Sequence, residues 1–153
     1  MSMIRHNEGH LVVGVDLGGT QIRVLALTDG RARGRYQGPT TDEDGLGNLL
    51  RKLWKRQHWS ARTVAALVVA AKGIWTEGER RSLAQRLDGL AGRVLVVPDA
   101  QAALLGALDG QAGVLILAGT GSIAVGRDDR GRWTRAGGLV CLLLPPWEGH
   151  GSQ

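Results

Sequence analysis

The uninterrupted apolar run Val64–Ala71 constrains the fold of this chain more than any other feature of its sequence. Its eight residues, VAALVVAA, include no polar or charged side chain. A run of this length and composition is typical of a strand that is covered on both faces, as in sheets whose parallel strands carry helices. The run therefore predicts an α/β fold with a strand at Val64–Ala71 in the interior of a sheet.

Three shorter segments before this run predict an antiparallel meander. Leu11–Asp16 has the composition of a buried strand, and Gln21–Leu27 alternates in part between polar and apolar residues. Arg31–Gln37 carries charges at alternate positions, as a half-exposed strand does. Glycine-containing turns separate the three segments, so consecutive strands are expected to pair.

Two further segments have the apolar spacing of amphipathic helices. Each is preceded by the spacing of a capping box, Thr40 with Glu43 and Thr76 with Glu79. The apolar positions of the two stripes are Leu46, Leu49, Leu50, Leu53 and Trp54, and then Leu83, Ala84, Leu87 and Leu90.

Another short buried strand, Val94–Val97, is followed by the Ala- and Leu-rich segment Asp99–Leu108, which favours a helix. The complete order is then β-β-β-α-β-α-β-α. This order predicts a mixed five-stranded sheet with helices on its faces, within a domain at residues 1–110.

Residues 111–153 begin with a second predicted hairpin, Gly113–Ala118 and Ile123–Arg127. Arg132–Arg135 could begin a third strand. The two prolines and late glycines of Leu139–Gln153 argue against a helix or a central strand there.

The turns of the two hairpins have similar sequences, Gly18-Gly19-Thr20 and Gly119–Ser122. Glycines let backbone N–H groups approach a phosphate, and Thr or Ser hydroxyls can donate to its oxygens. Asp16 could hold Mg²⁺ through water. Either turn by itself is better explained as a simple connection between strands, whereas the two turns together with Asp16 and Asp99 favour phosphate binding.

Asp99 directly follows a buried strand and opens a predicted helix. An aspartate at this place commonly caps the helix. The carboxyl end of a strand is also where α/β sheets bind ligands, so Asp99 could act as a general base. The residue by itself favours the helix cap.

Composition excludes several other classes of protein. No run of about 18 apolar residues exists, and the polar segment Met1–His10 does not have the features of a secretory signal. The single cysteine, Cys141, fits a reducing cytoplasm, and the histidines have no metal-ligand spacing. The net charge is +5, and the excess of basic over acidic residues lies between Arg31 and Arg62. This segment does not have the interleaved aromatic residues that are typical of a nucleic-acid interface. We therefore expect a cytoplasmic protein that binds no membrane and for which nucleic acid is an unfavoured partner.

Four motifs in a fixed order resemble a known family. They are Asp16-Leu-Gly-Gly-Thr20, Pro98-Asp-Ala100 with Ala102-Ala-Leu104, Gly119-Thr-Gly-Ser122 and Arg135-Ala-Gly-Gly138. Together they are similar to the BadF/BadG/BcrA/BcrD-type ATPases and their N-acetylglucosamine kinase members. That family belongs to the superfamily of actin, heat-shock-protein ATPases and sugar kinases.

The resemblance implies a ribonuclease H-like, actin-like ATPase fold that uses ATP and Mg²⁺ to phosphorylate an amino sugar or hexose. Asp99 would be the base that deprotonates the attacking sugar hydroxyl, and Asp16 would lie near Mg²⁺. Thr40 and Thr41, in a loop similar to one that holds the sugar, would bind substrate together with Asp99. The two phosphate loops would consist of Gly18, Gly19 and Thr20, and of Gly119, Thr120, Gly121 and Ser122.

The chain departs from the family at several positions. Pro98 stands where family members usually have Asn, Lys72 stands where a small residue is usual, and the similarity ends after Gly138. Family members are considerably longer, and residues 111–153 would be only the start of their second domain. The first interpretation is therefore the N-terminal half of a truncated sugar kinase, inactive as an isolated chain.

Two other interpretations remain open at this point. One is a stand-alone, non-catalytic module that binds phosphate or sugar or mediates assembly. The other, ranked last, is a nucleic-acid binder that uses the basic segment. In the truncated case, the apolar hairpin Gly113–Arg127 has lost the sheet it would join. It could then pack back on the first domain, pair with a second copy of the chain, or be mobile.

Overall fold

In the computed structural model, which describes residues 10–118 and 122–137, three helices and eight strands follow one another. Residues up to Ala102 form one compact unit and those from Ala103 form another. The predicted domain boundary at residue 110 stays a prediction. The elements are β1 (Leu11–Leu17), β2 (Gln21–Thr28), β3 (Arg31–Pro39), α1 (Glu43–Gln57), β4 (Val64–Ala71), α2 (Glu77–Arg86), β5 (Arg93–Pro98), α3 (Asp99–Ala107), β6 (Gly113–Ala118), β7 (Ser122–Arg127) and β8 (Trp133–Gly137).

The first unit is built on a five-stranded mixed sheet in the order β3-β2-β1-β4-β5. β1, β2 and β3 pair antiparallel, whereas β4 is parallel to both β1 and β5. The predicted mixed sheet is confirmed, including its antiparallel meander. The register places Leu17 beside Ala71, and Ala71 beside Pro98, so the parallel strands end in one row.

Alternate residues of β1, β2 and β4 form the core on one face of this sheet. Leu67 and Val69 of β4 are completely buried, and Leu46, Leu50 and Trp54 of α1 belong to the same apolar cluster. The indole Nε1 of Trp54 donates a hydrogen bond of 2.7 Å to the carbonyl of Leu90. The other face of β4 is half-buried rather than buried, so the expectation of full cover on both faces is met only in part.

The predicted stripe of α1 packs as expected, but its predicted cap is wrong. Asp42, not Thr40, is the N-cap, and its Oδ1 accepts a hydrogen bond of 2.7 Å from the Gly45 amide. Thr40 is held at the turn between β1 and β2 instead, because its hydroxyl donates to the Gly18 carbonyl and its amide to the Thr20 carbonyl. Tertiary contacts with a distant turn therefore override the local capping signal.

The predicted capping box of α2 is confirmed. Thr76 accepts from the Glu79 amide at 3.2 Å, and the Glu79 carboxylate accepts from the Thr76 amide at 2.8 Å. The hydrogen bond from the Thr76 backbone is the main cause that lowers the pKa of Glu79. The helix ends at Arg86, so Leu87 and Leu90, predicted as part of its stripe, are buried beyond its end.

In the second unit, β6, β7 and β8 form an antiparallel sheet in sequence order. The predicted hairpin and its third strand are therefore confirmed. Val125 of β7 is buried, whereas Val114 and Ile116 of β6 are 68% and 70% exposed. No helix in the described ranges has the length and apolar character needed to span a bilayer.

Candidate functional site

The functional candidates of the first unit gather where its parallel strands end. Because Leu17, Ala71 and Pro98 lie in one row, the residues that follow them share one edge of the sheet. These residues are Gly18, Lys72 and Asp99. Neighbouring strands are about 4.8 Å apart, so the three chain segments leave the sheet within about 10 Å of one another. Ligands of α/β sheets bind at such carboxyl edges.

The turn between β1 and β2 is held by its own backbone. The Gly18 amide donates to the Gln21 carbonyl at 3.0 Å. A Cβ built on Gly18 would lie 3.0 Å from that same carbonyl oxygen, which cannot move without distorting the turn. A side chain at position 18 would therefore require the turn to shift by a few tenths of an ångström.

Thr40 ties the loop between β3 and α1 to this turn. Its hydroxyl donates to the Gly18 carbonyl at 2.6 Å, and its amide donates to the Thr20 carbonyl at 3.0 Å. The neighbouring Thr41 hydroxyl lies 3.5 Å from Oδ1 of the capping residue Asp42. The two predicted sugar-binding threonines are thus next to the predicted phosphate turn, and Thr40 fixes its geometry.

An open pocket of about 480 Å³ lies between the turn, this loop and the end of β4. We call it the turn pocket. It brings together Gly18, Gly19, Thr40 and Thr41 from the predicted site. Its lining is Leu17, Gly18, Gly19, Thr40, Thr41, Asp42, Glu43, Ala71, Lys72, Gly73 and Ile74.

Asp16 lines a different groove. This groove, of about 670 Å³, also contains Arg23 and Tyr36 among its lining residues. Asp16 Oδ2 accepts a hydrogen bond of 3.0 Å from Arg23, and both side chains remain about half exposed. The Asp16 carboxylate therefore balances a neighbouring guanidinium, an ion pair that the sequence analysis did not foresee.

The residues near Asp16 fit Mg²⁺ only if phosphate oxygens supply part of its coordination. No cluster of three or more His, Cys, Asp or Glu able to hold a metal occurs within residues 10–118 and 122–137. Mg²⁺ commonly takes one or two carboxylates and completes its shell with water and substrate phosphates. The accessible Asp16 carboxylate could supply one such ligand in exchange for its contact with Arg23.

Asp99 is the first residue of α3 and is half-buried. Its Oδ1 accepts a hydrogen bond of 2.8 Å from the Ala100 amide, which fixes the carboxylate at the start of the helix. Both interpretations of Asp99 are compatible with this geometry, because one oxygen binds the start of the helix and the other makes no hydrogen bond to the described part of the chain.

The second predicted phosphate loop lies largely outside the described residues. Gly119, Thr120 and Gly121 are not described, and Ser122 begins β7 opposite Ala118. Among the lining residues of the turn pocket that the sequence analysis did not assign to the site, Lys72 carries a positive charge. The available signal was that Lys72 directly follows the buried strand β4, because residues that follow parallel strands lie at the carboxyl edge of the sheet.

Comparison with known proteins supports the family resemblance in sequence. Over 107 residues the chain is 34% identical to an N-acetylmuramic acid/N-acetylglucosamine kinase from Clostridium acetobutylicum, a match that covers 70% of this chain and 33% of that protein. The chain thus spans about a third of the length of this curated relative. No protein-family model matches the chain.

Solved structures show the same fold at lower sequence identity. A Chromobacterium violaceum protein assigned as an N-acetylglucosamine kinase superposes with a TM-score of 0.70 at 23% identity, over 86% of this chain and 50% of that one. A hexokinase of the ROK type from Thermus thermophilus gives 0.56 at 21% identity, over 80% and 50%. The chain therefore has the actin-like ATPase fold predicted from its sequence, and over 107 residues it is similar to an N-acetylmuramic acid/N-acetylglucosamine kinase.

Proposed function

We propose that this chain supplies one side of an ATP-dependent sugar kinase site, which binds nucleotide phosphates and an amino sugar. The observation that carries the proposal is the turn pocket, where the Gly18–Gly19 turn meets the Thr40–Thr41 loop. Asp99 follows the next parallel strand at the same edge. The similarity to an N-acetylmuramic acid/N-acetylglucosamine kinase supports an amino sugar, rather than another phosphate acceptor, as the substrate.

In this proposal the Gly18-Gly19-Thr20 turn holds phosphate oxygens through backbone amides and the Thr20 hydroxyl. The loop Gly119–Ser122 is proposed as the second phosphate loop. Asp16 would hold Mg²⁺, which neutralises phosphate charge when it is bound. Thr41 is proposed to contact the sugar, while Thr40 keeps the turn in position through its bonds to Gly18 and Thr20.

Asp99 is proposed as the general base. As the sugar hydroxyl oxygen attacks the terminal phosphorus of ATP, a new P–O bond forms, the bond to the bridging oxygen breaks, and ADP leaves. The hydroxyl proton passes to the free oxygen of the Asp99 carboxylate, while the other oxygen stays on the Ala100 amide. Phosphoryl transfer depends mainly on positioning and charge neutralisation, and a base that orients the nucleophile adds to both.

Calorimetric titration with Mg-ATP tests the phosphate site. We expect weak but measurable binding that falls at least tenfold, about 1.4 kcal/mol, in Gly19→Asp, because the new carboxylate enters the pocket and repels phosphate. A Cβ at Gly19 would make only ordinary contacts, at 3.4 Å and beyond, so the variant should fold.

The matched control for this titration is Gly78→Asp, which adds the same charge where a Cβ would meet nothing within 4 Å. Binding by the control should equal that of the parent chain. Equal weakening in both variants, or no binding of Mg-ATP by the parent chain, would contradict the proposed phosphate site.

Asp99→Asn tests the base. Any sugar-dependent phosphoryl transfer to which the chain contributes is expected to fall by about 10²–10⁴-fold, the usual contribution of a general base. The melting temperature should change little, because the asparagine oxygen can still accept from the Ala100 amide. Transfer of labelled phosphate from ATP to N-acetylglucosamine measures the first effect, with Asp29→Asn as the control. Unchanged transfer in Asp99→Asn would remove Asp99 from this role.

A further inference from the structure

The side chain of Lys72 lies over the glycine turn. Its Nζ is 3.4 Å, and its Cδ 3.7 Å, from the position that a Cβ on Gly19 would occupy. The Lys72 amide donates to the Leu17 carbonyl at 3.2 Å, which continues the pairing of β1 with β4 by one residue. The backbone of Lys72 is therefore anchored directly beside the turn that its ammonium group covers.

Lys72 has no acidic partner among the residues that the structure describes. Within residues 10–118 and 122–137, it takes part in none of the ion pairs or side-chain hydrogen bonds. The acids of the turn pocket are engaged elsewhere: Asp42 accepts from the Gly45 amide, and Glu43 lies 3.4 Å from Arg86. The pocket thus presents an ammonium group that pairs with none of the described carboxylates, next to backbone that glycine leaves accessible.

We propose that the Lys72 ammonium binds a phosphate group of the nucleotide at the Gly18–Gly19 turn. This inference rests on the proposed function and adds a cation to a site that was otherwise assigned only neutral donors and a metal ligand. A lysine suits the task because its compact charge on a flexible stem can follow a phosphate oxygen. Gly73, with φ of +79°, adopts a backbone conformation that favours glycine and redirects the chain just after Lys72.

The test uses four separate probes: inorganic tripolyphosphate, Mg-ATP, the uncharged sugar N-acetylglucosamine and the acidic sugar N-acetylmuramic acid. Lys72→Met is expected to lower the affinity for tripolyphosphate and for Mg-ATP about five- to tenfold in calorimetric titrations, because a charge-assisted contact is lost. Lys72→Arg keeps the charge and should retain most of the affinity. The loss in Lys72→Met should shrink as salt is added.

Lys55→Met is the matched control, since it removes the same charge from an exposed position on α1. Its affinity for tripolyphosphate should equal that of the parent chain. Equal affinity in Lys72→Met and the parent, or equal loss in both lysine variants, would overturn the inference while leaving the phosphate site itself intact. A loss confined to N-acetylmuramic acid would assign Lys72 to a sugar carboxylate and overturn it as well. Absence of phosphate binding by the parent chain would instead remove the proposed function.

Discussion

The purified 153-residue chain is expected to show no sustained, sugar-dependent release of ADP from Mg-ATP. The turn pocket is open, and the residues that line it all come from the first unit. The chain also spans only about a third of the curated kinase it resembles and half of the Chromobacterium protein. We propose that the rest of such a site is needed to hold both substrates in line.

The expected loss is large for two physical reasons. Positioning of two reactants can lower a barrier by about 7–11 kcal/mol, and a site that holds the nucleotide only by its phosphates loses much of this contribution. In addition, a phosphate that remains in water is stabilised by nearby charges far less than one in a closed site. The chain can therefore bind phosphate without catalysing phosphoryl transfer.

A coupled ADP-release assay with N-acetylglucosamine and with glucose measures this prediction. Reactions without sugar and reactions with Asp99→Asn serve as controls for background hydrolysis. Micromolar affinity for Mg-ATP together with sustained, sugar-dependent ADP release by the parent chain would show that the chain is a complete kinase, contrary to the proposal.

Leu67→Ala is expected to lower the free energy of unfolding by about 3 kcal/mol and the melting temperature by more than about 10 °C. Leu67 is completely buried on β4, between the strands β1 and β5, and faces the apolar cluster shared with α1. Removing its side chain leaves a cavity that a sheet paired on both sides cannot easily close. Thermal and urea unfolding followed by circular dichroism measure the change.

Leu95→Ala is the matched control, because it makes the same chemical change on the adjacent strand β5. Leu95 is 44% exposed and pairs with Val68, so it belongs to the other face of the sheet. We expect a loss of less than about 1 kcal/mol. Similar losses in the two variants would mean that the core does not lie on the face assigned to it.

Most of the fold could be predicted because the periodicity of its elements is strong. The strand predicted at Val64–Ala71 has the same bounds in the structure, and the stripe Leu46 to Trp54 packs as a helix. The ends of the helices were harder to predict. The Thr40–Glu43 spacing failed because Thr40 bonds to Gly18 and Thr20, which are distant in sequence, and local patterns carry no information about such partners.

The sequence analysis named candidate residues but did not place them relative to one another, and their roles stay predictions. In the structure Gly18, Gly19, Thr40 and Thr41 line one pocket, a juxtaposition that no local pattern specified. Asp16 instead lines another groove and pairs with Arg23. This pair depends on the register of β1 with β2, which the sequence does not specify residue by residue.

The sequence by itself determined the α/β class, the order of the elements and the glycine turns, because these depend on local periodicity and on the steric freedom of glycine. Only the tertiary structure decided that the ends of β1, β4 and β5 form one row, and that Lys72 lies over the Gly18–Gly19 turn. Parallel pairing joins segments separated by whole helices, so their register follows from packing of the core rather than from any local pattern. The chemistry of the turn pocket therefore arises from long-range pairing of residues that are individually unremarkable in the sequence.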